Sequence, residues 1–207
     1  MPITDSKRQL RTAMYQTLAD FCATGATAAA SEKACAAVLG LPEFAAADTI
    51  LAYMPMPQEA DCAALFAAAF AGGKQLLLPR VVRGSSDMDF YTLSAAVPLS
   101  AQTESGSYNI REPKTTLPRF MPEGCSGSIF VVVPGVAFTR GGARLGHGKG
   151  FYDRYIARLK QSGARLTLCG FCFDVQLVGA IPCDGYDVPM DYVASESGIC
   201  DCRLCSL

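Results

Sequence analysis

The residues best placed to do chemistry lie in the run VPGVAFTRGGARLGHGKGFYDR, residues 133–154. Gly146, Gly148 and Gly150 alternate with His147 and Lys149, follow Arg144, and come just before a helical pattern that starts at Phe151. Glycine lets a backbone approach an anion closely and adopt positive φ. A helix starting behind such a loop aims its free N–H groups and the positive end of its dipole at it. Arg144 and Lys149 add formal charge, and the combination is a cradle for phosphate. Its spacing is that of neither a Walker A loop nor a dinucleotide fingerprint. An isolated glycine run with solvated charges also reads as a plain flexible turn; the two cations and the adjoining helix favour the cradle.

A cradle of this kind needs a strand in front and a helix behind. Residues 129–133 (IFVVV) are apolar throughout and predict a strand buried on both faces. Residues 151–159 predict the helix. Upstream, Leu10, Met14, Leu18 and Phe21 recur at helical spacing after Asp5 or Ser6 as a cap. A second, Ala-rich helix is predicted over 31–39, with Gly40 as its stop. Residues 49–54 predict a short strand broken by Pro55 and Pro57. A helix over 61–71 ends at Gly72-Gly73, a strand over 75–78 is closed by Pro79, and another covers 88–93. Residues 94–127 are rich in Pro, Gly, Ser and Thr and read as a long functional or mobile loop. Strands over 166–171 and 192–194 complete the pattern. Strands alternating with helices predict a single three-layer α/β/α domain over 1–207 with a mostly parallel sheet.

The segment RLGHGKGFYD, with VPGVAF before it, resembles the R-x-G-x-G-K-G-Y-Y-D signature of the 5-formyltetrahydrofolate cyclo-ligase (5,10-methenyltetrahydrofolate synthetase) family. The resemblance runs along nearly the whole chain: Lys7 and Arg11 match an N-terminal K-x-x-x-R pattern, and MPMPQEAD at 54–61, LLLPRV at 77–82, MDFYTL, YNIREP at 108–113 and IPCDGYDVPMDYV at 181–193 follow in order. It implies a fold like that of the sugar-isomerase and CoA-transferase superfamily. It also implies ATP-dependent conversion of 5-formyltetrahydrofolate to 5,10-methenyltetrahydrofolate with release of ADP and phosphate. In that reaction the formyl oxygen takes the γ-phosphoryl group, N10 attacks the activated carbon, and phosphate leaves.

By the same resemblance Lys7, Arg8, Arg11, Arg144, Gly146, His147, Gly148, Lys149, Gly150, Phe151 and Tyr152 line the ATP site, with Lys149, Arg144 and Lys7 as the catalytic cations. Met54, Glu59, Tyr108, His147, Lys149 and Phe151 face the folate. Asp153 and Asp187 hold Mg²⁺, which binds through one or two carboxylates plus substrate phosphates. The chain departs from the family pattern at His147, where Arg or Tyr is frequent, at Phe151, which replaces the first tyrosine, at Tyr186, where many members carry histidine, and at Ser195. Two rival readings are a paralogue that keeps the ATP cradle for another substrate, and a non-catalytic formylfolate-binding protein.

Composition narrows the field. The 207 residues are 50% hydrophobic and 18% charged, which excludes a mainly disordered chain. Eighteen Lys and Arg against nineteen Asp and Glu give no net positive charge to drive nucleic-acid binding. No apolar run reaches membrane-spanning length, and MPITDSKRQLR lacks an apolar signal core. A cytoplasmic monomer acting on small molecules is expected. The ten cysteines sit largely within apolar runs and read as reduced buried thiols, with the C-terminal CDCRLC as frayed thiols rather than a zinc site.

Overall fold

The computed structural model describes residues 3–106, 110–123, 125 and 127–205. In chain order the elements are α1 (Ile3–Ala23), α2 (Thr27–Leu39), α3 (Pro42–Ala46), β1 (Thr49–Leu51), α4 (Ala63–Ala71), β2 (Gln75–Val81) and β3 (Met88–Leu93). They continue with α5 (Leu99–Gln102), β4 (Thr103–Ser105), β5 (Arg111–Pro113), β6 (Ser128–Val133), β7 (Ala137–Phe138), β8 (Arg144–Leu145), α6 (Phe151–Gln161), β9 (Arg165–Phe171), β10 (Tyr192–Ser195) and β11 (Gly198–Asp201).

Seven strands form one sheet in the order β11-β10-β9-β6-β1-β2-β3. The four inner pairings are parallel and the two outer ones, β2–β3 and β10–β11, are antiparallel. Alternate residues of the inner strands go to opposite faces. Ile50, Phe130, Val132 and Phe171 pack with Val38, Phe44 and Leu65 of α2, α3 and α4. Leu51, Ile129, Val131 and Leu168 pack with Tyr155, Ile156 and Leu159 of α6. The sheet is therefore the middle of three layers. No helix among the described residues is long and apolar enough to cross a membrane.

Several boundaries differ from the sequence expectation, each for a local reason. Helix α1 starts at Ile3, so Asp5 lies in its first turn rather than at its cap. Helix α2 begins at Thr27, because the Ser31 hydroxyl donates back to the Thr27 carbonyl at 2.7 Å instead of capping. Pro79 does not close β2 but pairs with Phe90 inside it; it lies beyond Leu77, the last β2 residue in register with β1. A ring without an N–H is tolerated where the ladder on one side has ended. The 94–127 connection is not a bare loop. It carries α5 and the β4–β5 hairpin, and the buried Gln102 amide binds the Ser94 backbone through both its oxygen and its nitrogen. The C-terminal cysteines are not frayed: Cys200 lies in β11, and Cys202 is buried at 3% exposure. The Cys205 side chain and Tyr108 lie outside the described residues.

Chain order explains where a ligand crevice must form. From β1 the chain winds outward to β2, whereas from β6, on the other side of β1, it winds outward to β9 and β10. In open α/β sheets the carboxyl ends of two strands that diverge like this leave a crevice between their outgoing loops. Here those loops are residues 52–62 after β1 and 134–150 after β6.

Candidate active site

A cavity of about 500 Å³ occupies that crevice. Its walls come from α1 (Arg11, Tyr15), the loop after β1 (Tyr53, Met54, Met56, Glu59), β2 and β3 (Pro79, Val81, Met88), the hairpin (Ile110, Arg111, Glu112) and the run from Arg144 to Asp153. A hollow of this size suits a ring-containing small molecule.

The glycine loop follows the antiparallel β7–β8 hairpin and leads directly into α6. Gly150 caps α6 in the left-handed region at φ 67°, and Gly148 stands at φ 95°. A Cβ on Gly148 would also meet the Arg11 guanidinium carbon at 3.3 Å. These two positions need glycine on backbone grounds, and the second needs it for close approach as well.

One end of the cavity is ionic. Arg144 keeps only 5% of its side chain exposed; its Nη2 donates to Asp153 Oδ1 at 2.8 Å and its Nη1 to the Pro134 carbonyl at 3.3 Å. Its Nε is buried with no hydrogen-bond partner. Lys7 donates to Asp187 at 2.6 Å and Asp184 at 2.8 Å, which ties α1 to the turn at 184–187. Burial alone would lower the Lys7 ammonium, but the hydrogen bonds and charges of the two aspartates hold it above its ordinary value. The Val188 N–H reaches Asp153 Oδ1 at 3.4 Å, so the residue after Asp187 abuts Asp153. Arg11 donates from Nε to the Gly146 carbonyl at 2.8 Å. Lys149 is exposed at the cavity wall, with no hydrogen bond or ion pair to its ammonium among the described residues.

The other end is apolar. Tyr53 is buried and donates its hydroxyl to the Ala60 carbonyl at 2.6 Å. Met54, Met56, Pro79, Val81 and Phe151 continue the wall. The Tyr152 hydroxyl is buried without a hydrogen-bond partner, and burial pushes it well above its ordinary pKa. Glu59 is the carboxylate of this end. Its side chain is 10% exposed, its Oε2 accepts the Met56 N–H at 2.9 Å, and its Oε1 lies 3.2 Å from His147 Nε2.

Most of the residues expected from sequence are thus brought to one place. Arg11, Arg144, Gly146, His147, Gly148, Lys149, Gly150, Phe151, Tyr152 and Asp153 line the cavity together with Met54 and Glu59. Lys7 and Asp187 stand outside its lining and reach it through their ion pair and through Val188. Arg8 is not brought in; its side chain is 75% exposed and pairs with Asp5 at 2.9 Å. Among the described residues no three His, Cys, Asp or Glu side chains form a metal-holding group.

Sequence reading missed Tyr15 and the hairpin residues 110–112. Tyr15 carried a usable signal, because it follows Lys7 and Arg11 at successive spacings of four on one helix face. The hairpin residues fall within YNIREP, a segment that carried the family resemblance, but nothing in their spacing marked Ile110, Arg111 or Glu112 as wall residues.

The fold and the cavity together define a doubly wound α/β domain with an anion loop set against a ring-sized pocket. The family model described as the 5-formyltetrahydrofolate cyclo-ligase family matches residues 3–196. A curated relative from Schizosaccharomyces pombe, a probable 5-formyltetrahydrofolate cyclo-ligase, is 32% identical over 80% of this chain and 83% of its own. The mouse 5-formyltetrahydrofolate cyclo-ligase is 28% identical over 70% of this chain and 71% of its own. Among solved structures, an NMR structure of Aquifex aeolicus 5,10-methenyltetrahydrofolate synthetase superposes with a TM-score of 0.74 at 30% identity, covering 95% of this chain and 93% of that one. The chain belongs to the 5-formyltetrahydrofolate cyclo-ligase family, a family of ligases.

Proposed function

We propose that this chain uses ATP to close 5-formyltetrahydrofolate into 5,10-methenyltetrahydrofolate, releasing ADP and phosphate. The observation that carries the reading is a single cavity lined both by the cationic glycine loop and by the apolar Met54, Met56 and Phe151 with the Glu59 carboxylate, the two joined at His147 and Glu59. Family membership fixes the reaction class, and the site accounts for its parts.

Phosphoryl transfer asks a protein for position and for charge neutralisation more than for covalent help. The Lys149 ammonium, free at the cavity wall, is the group available to meet charge that develops on the transferred phosphoryl oxygens. Arg11 and the glycine backbone hold the phosphates, while Arg144, fixed by Asp153, shapes the loop beneath them. The formyl oxygen attacks the γ-phosphorus and ADP departs; N10 then attacks the formyl carbon, its proton passes to the departing phosphate, and the C–O bond breaks to release that phosphate. Tyr53, Met54, Phe151 and Tyr152 exclude water from the activated carbon, and Glu59 orients the ring system. Folate N–H groups are donors that a carboxylate can accept.

The chemistry of the donor set fits Mg²⁺. Asp153 and Asp187 are hard oxygen ligands on neighbouring segments, and two carboxylates with substrate phosphates suffice for this ion. These two carboxylates would hold Mg²⁺, which would offset the charge of the phosphates. Binding there requires Asp187 to share its carboxylate between the ion and Lys7.

Growth of the methenyl chromophore in near-ultraviolet absorbance, with purified protein, Mg²⁺, ATP and 5-formyltetrahydrofolate, tests the reading. ATP-dependent growth is expected. ATP hydrolysis without the chromophore would point to another acceptor, and formylfolate binding without turnover would point to a non-catalytic binder.

A further inference from the structure

Behind the ring end lies a second hollow of about 420 Å³, which shares Tyr15, Met56, Glu59 and His147 with the main cavity. The partition between the two is a chain of hydrogen bonds across three separate segments. The Tyr15 hydroxyl of α1 lies 3.0 Å from His147 Nδ1, and His147 Nε2 lies 3.2 Å from Glu59 Oε1. The Tyr15 and His147 rings stack with 20° between their planes and 6.1 Å between centroids.

The direction of this chain follows from its last member. The Glu59 carboxylate already accepts the Met56 N–H on Oε2, and an ionised carboxylate only accepts. Nε2 therefore carries the proton it gives to Oε1. In a neutral imidazole Nδ1 is then the acceptor, and the tyrosine is the donor. Tyr15 keeps its proton for that bond: burial first, with the nearby Glu59 charge, raises its hydroxyl above the ordinary value against the opposing pull of Arg11. Glu59 and Tyr15 thus select the same tautomer from the two sides of the ring, and loss of the tyrosine proton would leave Nδ1 open to take up the ring proton. The wrong tautomer would face Glu59 with a lone pair.

We propose that Tyr15 is a positioning residue for the folate site: its hydroxyl fixes the Nε2–H tautomer of His147, and His147 holds Glu59 in the orientation that meets the ring system. This rests on the folate reading of the cavity. It assigns to α1 a role at the ring end, separate from the contacts of Lys7 and Arg11 at the phosphate end.

His147 is the only histidine in the chain, so its imidazole nitrogens can be observed without assignment by mutation. The experiment compares the native chain with Tyr15→Phe, which keeps the stacked ring on the half-exposed helix face and removes only the hydroxyl. Imidazole ¹⁵N spectra of full-length protein, labelled at histidine, are recorded above the titration of the ring. The KM values for 5-formyltetrahydrofolate and for ATP are measured on the same samples. The native chain is expected to show a dominant Nε2–H tautomer. Tyr15→Phe should shift the spectrum toward the Nδ1–H form and raise the folate KM roughly three- to tenfold, with the ATP KM unchanged. An unchanged tautomer in the variant overturns the relay. A changed tautomer with an unchanged folate KM overturns the positioning role. A native chain inert toward formylfolate removes the functional reading and this inference with it, and that result appears before any variant is compared.

Discussion

Beside the ionic end of the cavity Lys7 holds two carboxylates and Arg144 one, while at the ring end Glu59 has only a backbone N–H and a histidine for partners. The two ends are built for different tasks. A buried cation without a counter-charge would suffer a large desolvation cost, so Lys7 and Arg144 are paired in advance while the exposed Lys149 stays free. Selectivity at that end would reside in charge and geometry. The ring end gains affinity instead from removing apolar surface from water, at roughly 25 cal/mol per Å². Changes at the first end should act on rate, and changes at the second on substrate affinity.

The sharpest way to break this contrast is Lys149→Ala. Its ammonium is free and exposed, so its loss should lower kcat/KM by about 10²–10³ and leave the melting temperature unchanged. A drop in stability instead would place Lys149 in the frame rather than in the chemistry. Asp153→Asn should lower both properties. It leaves the Arg144 guanidinium buried beside a neutral acceptor, which should cost about 2 kcal/mol in urea unfolding, and it removes one of the two carboxylates proposed to hold Mg²⁺, with activity falling by about 10².

At the other end Glu59→Gln should raise the folate KM by about tenfold with the ATP KM unchanged, since the substitution keeps size and removes charge. A parallel rise in the ATP KM would erase the distinction between the ends. The smallest effect is expected from Lys7→Met. The Lys7 ammonium is raised in the folded state, so its stabilisation is complete below the unfolded value near roughly 10.4 and disappears as pH rises through the folded value. The variant should lose about 1 kcal/mol or less near neutrality and should show a flatter alkaline decline of stability. Asp184, whose carboxyl is lowered chiefly by its hydrogen bond from Lys7, runs the other way: its contribution is lost as pH falls into the acid range.

The contrast also decides what was legible in the sequence. The inner strands were plain because burial on both faces demands unbroken apolar runs, as in 129–133 and in 76–78. The edges were not. Strand β11 reads as Gly-Ile-Cys-Asp, and its antiparallel pairing to β10 depends on a turn at Glu196–Ser197 rather than on periodicity. The outer side of β3 is covered by residues 118–120, where the Thr92 N–H donates to the Pro118 carbonyl and the Phe120 N–H to the Phe90 carbonyl, a pairing no local pattern announces. At the site the glycine loop was visible because anion cradles need special backbone. The partners of its cations lie far along the chain, and only the fold joins them. Arg8 shows the opposite failure: a cation next to Lys7 in sequence points away, because neighbours on a helix sit about 100° apart.

The ion pair between Lys7 and Asp187 joins residues 180 apart in sequence, and Arg11 reaches Gly146 across 135. Synthesis delivers the chain from its N-terminus at roughly 5–20 residues per second. Helix α1 leaves the ribosome early, yet Arg11 has no partner until Gly146 has been made, and Lys7 none until the 184–187 turn has followed. Closing so long a loop is entropically expensive and is repaid only once the sheet between its ends has formed. The phosphate end is therefore among the last parts of the molecule to assemble. A nascent chain halted before Asp184 would contain strands β1, β2, β6 and β9 and most of the ring pocket, while the side chain that opens the N-terminal pattern would still be waiting for its acceptor.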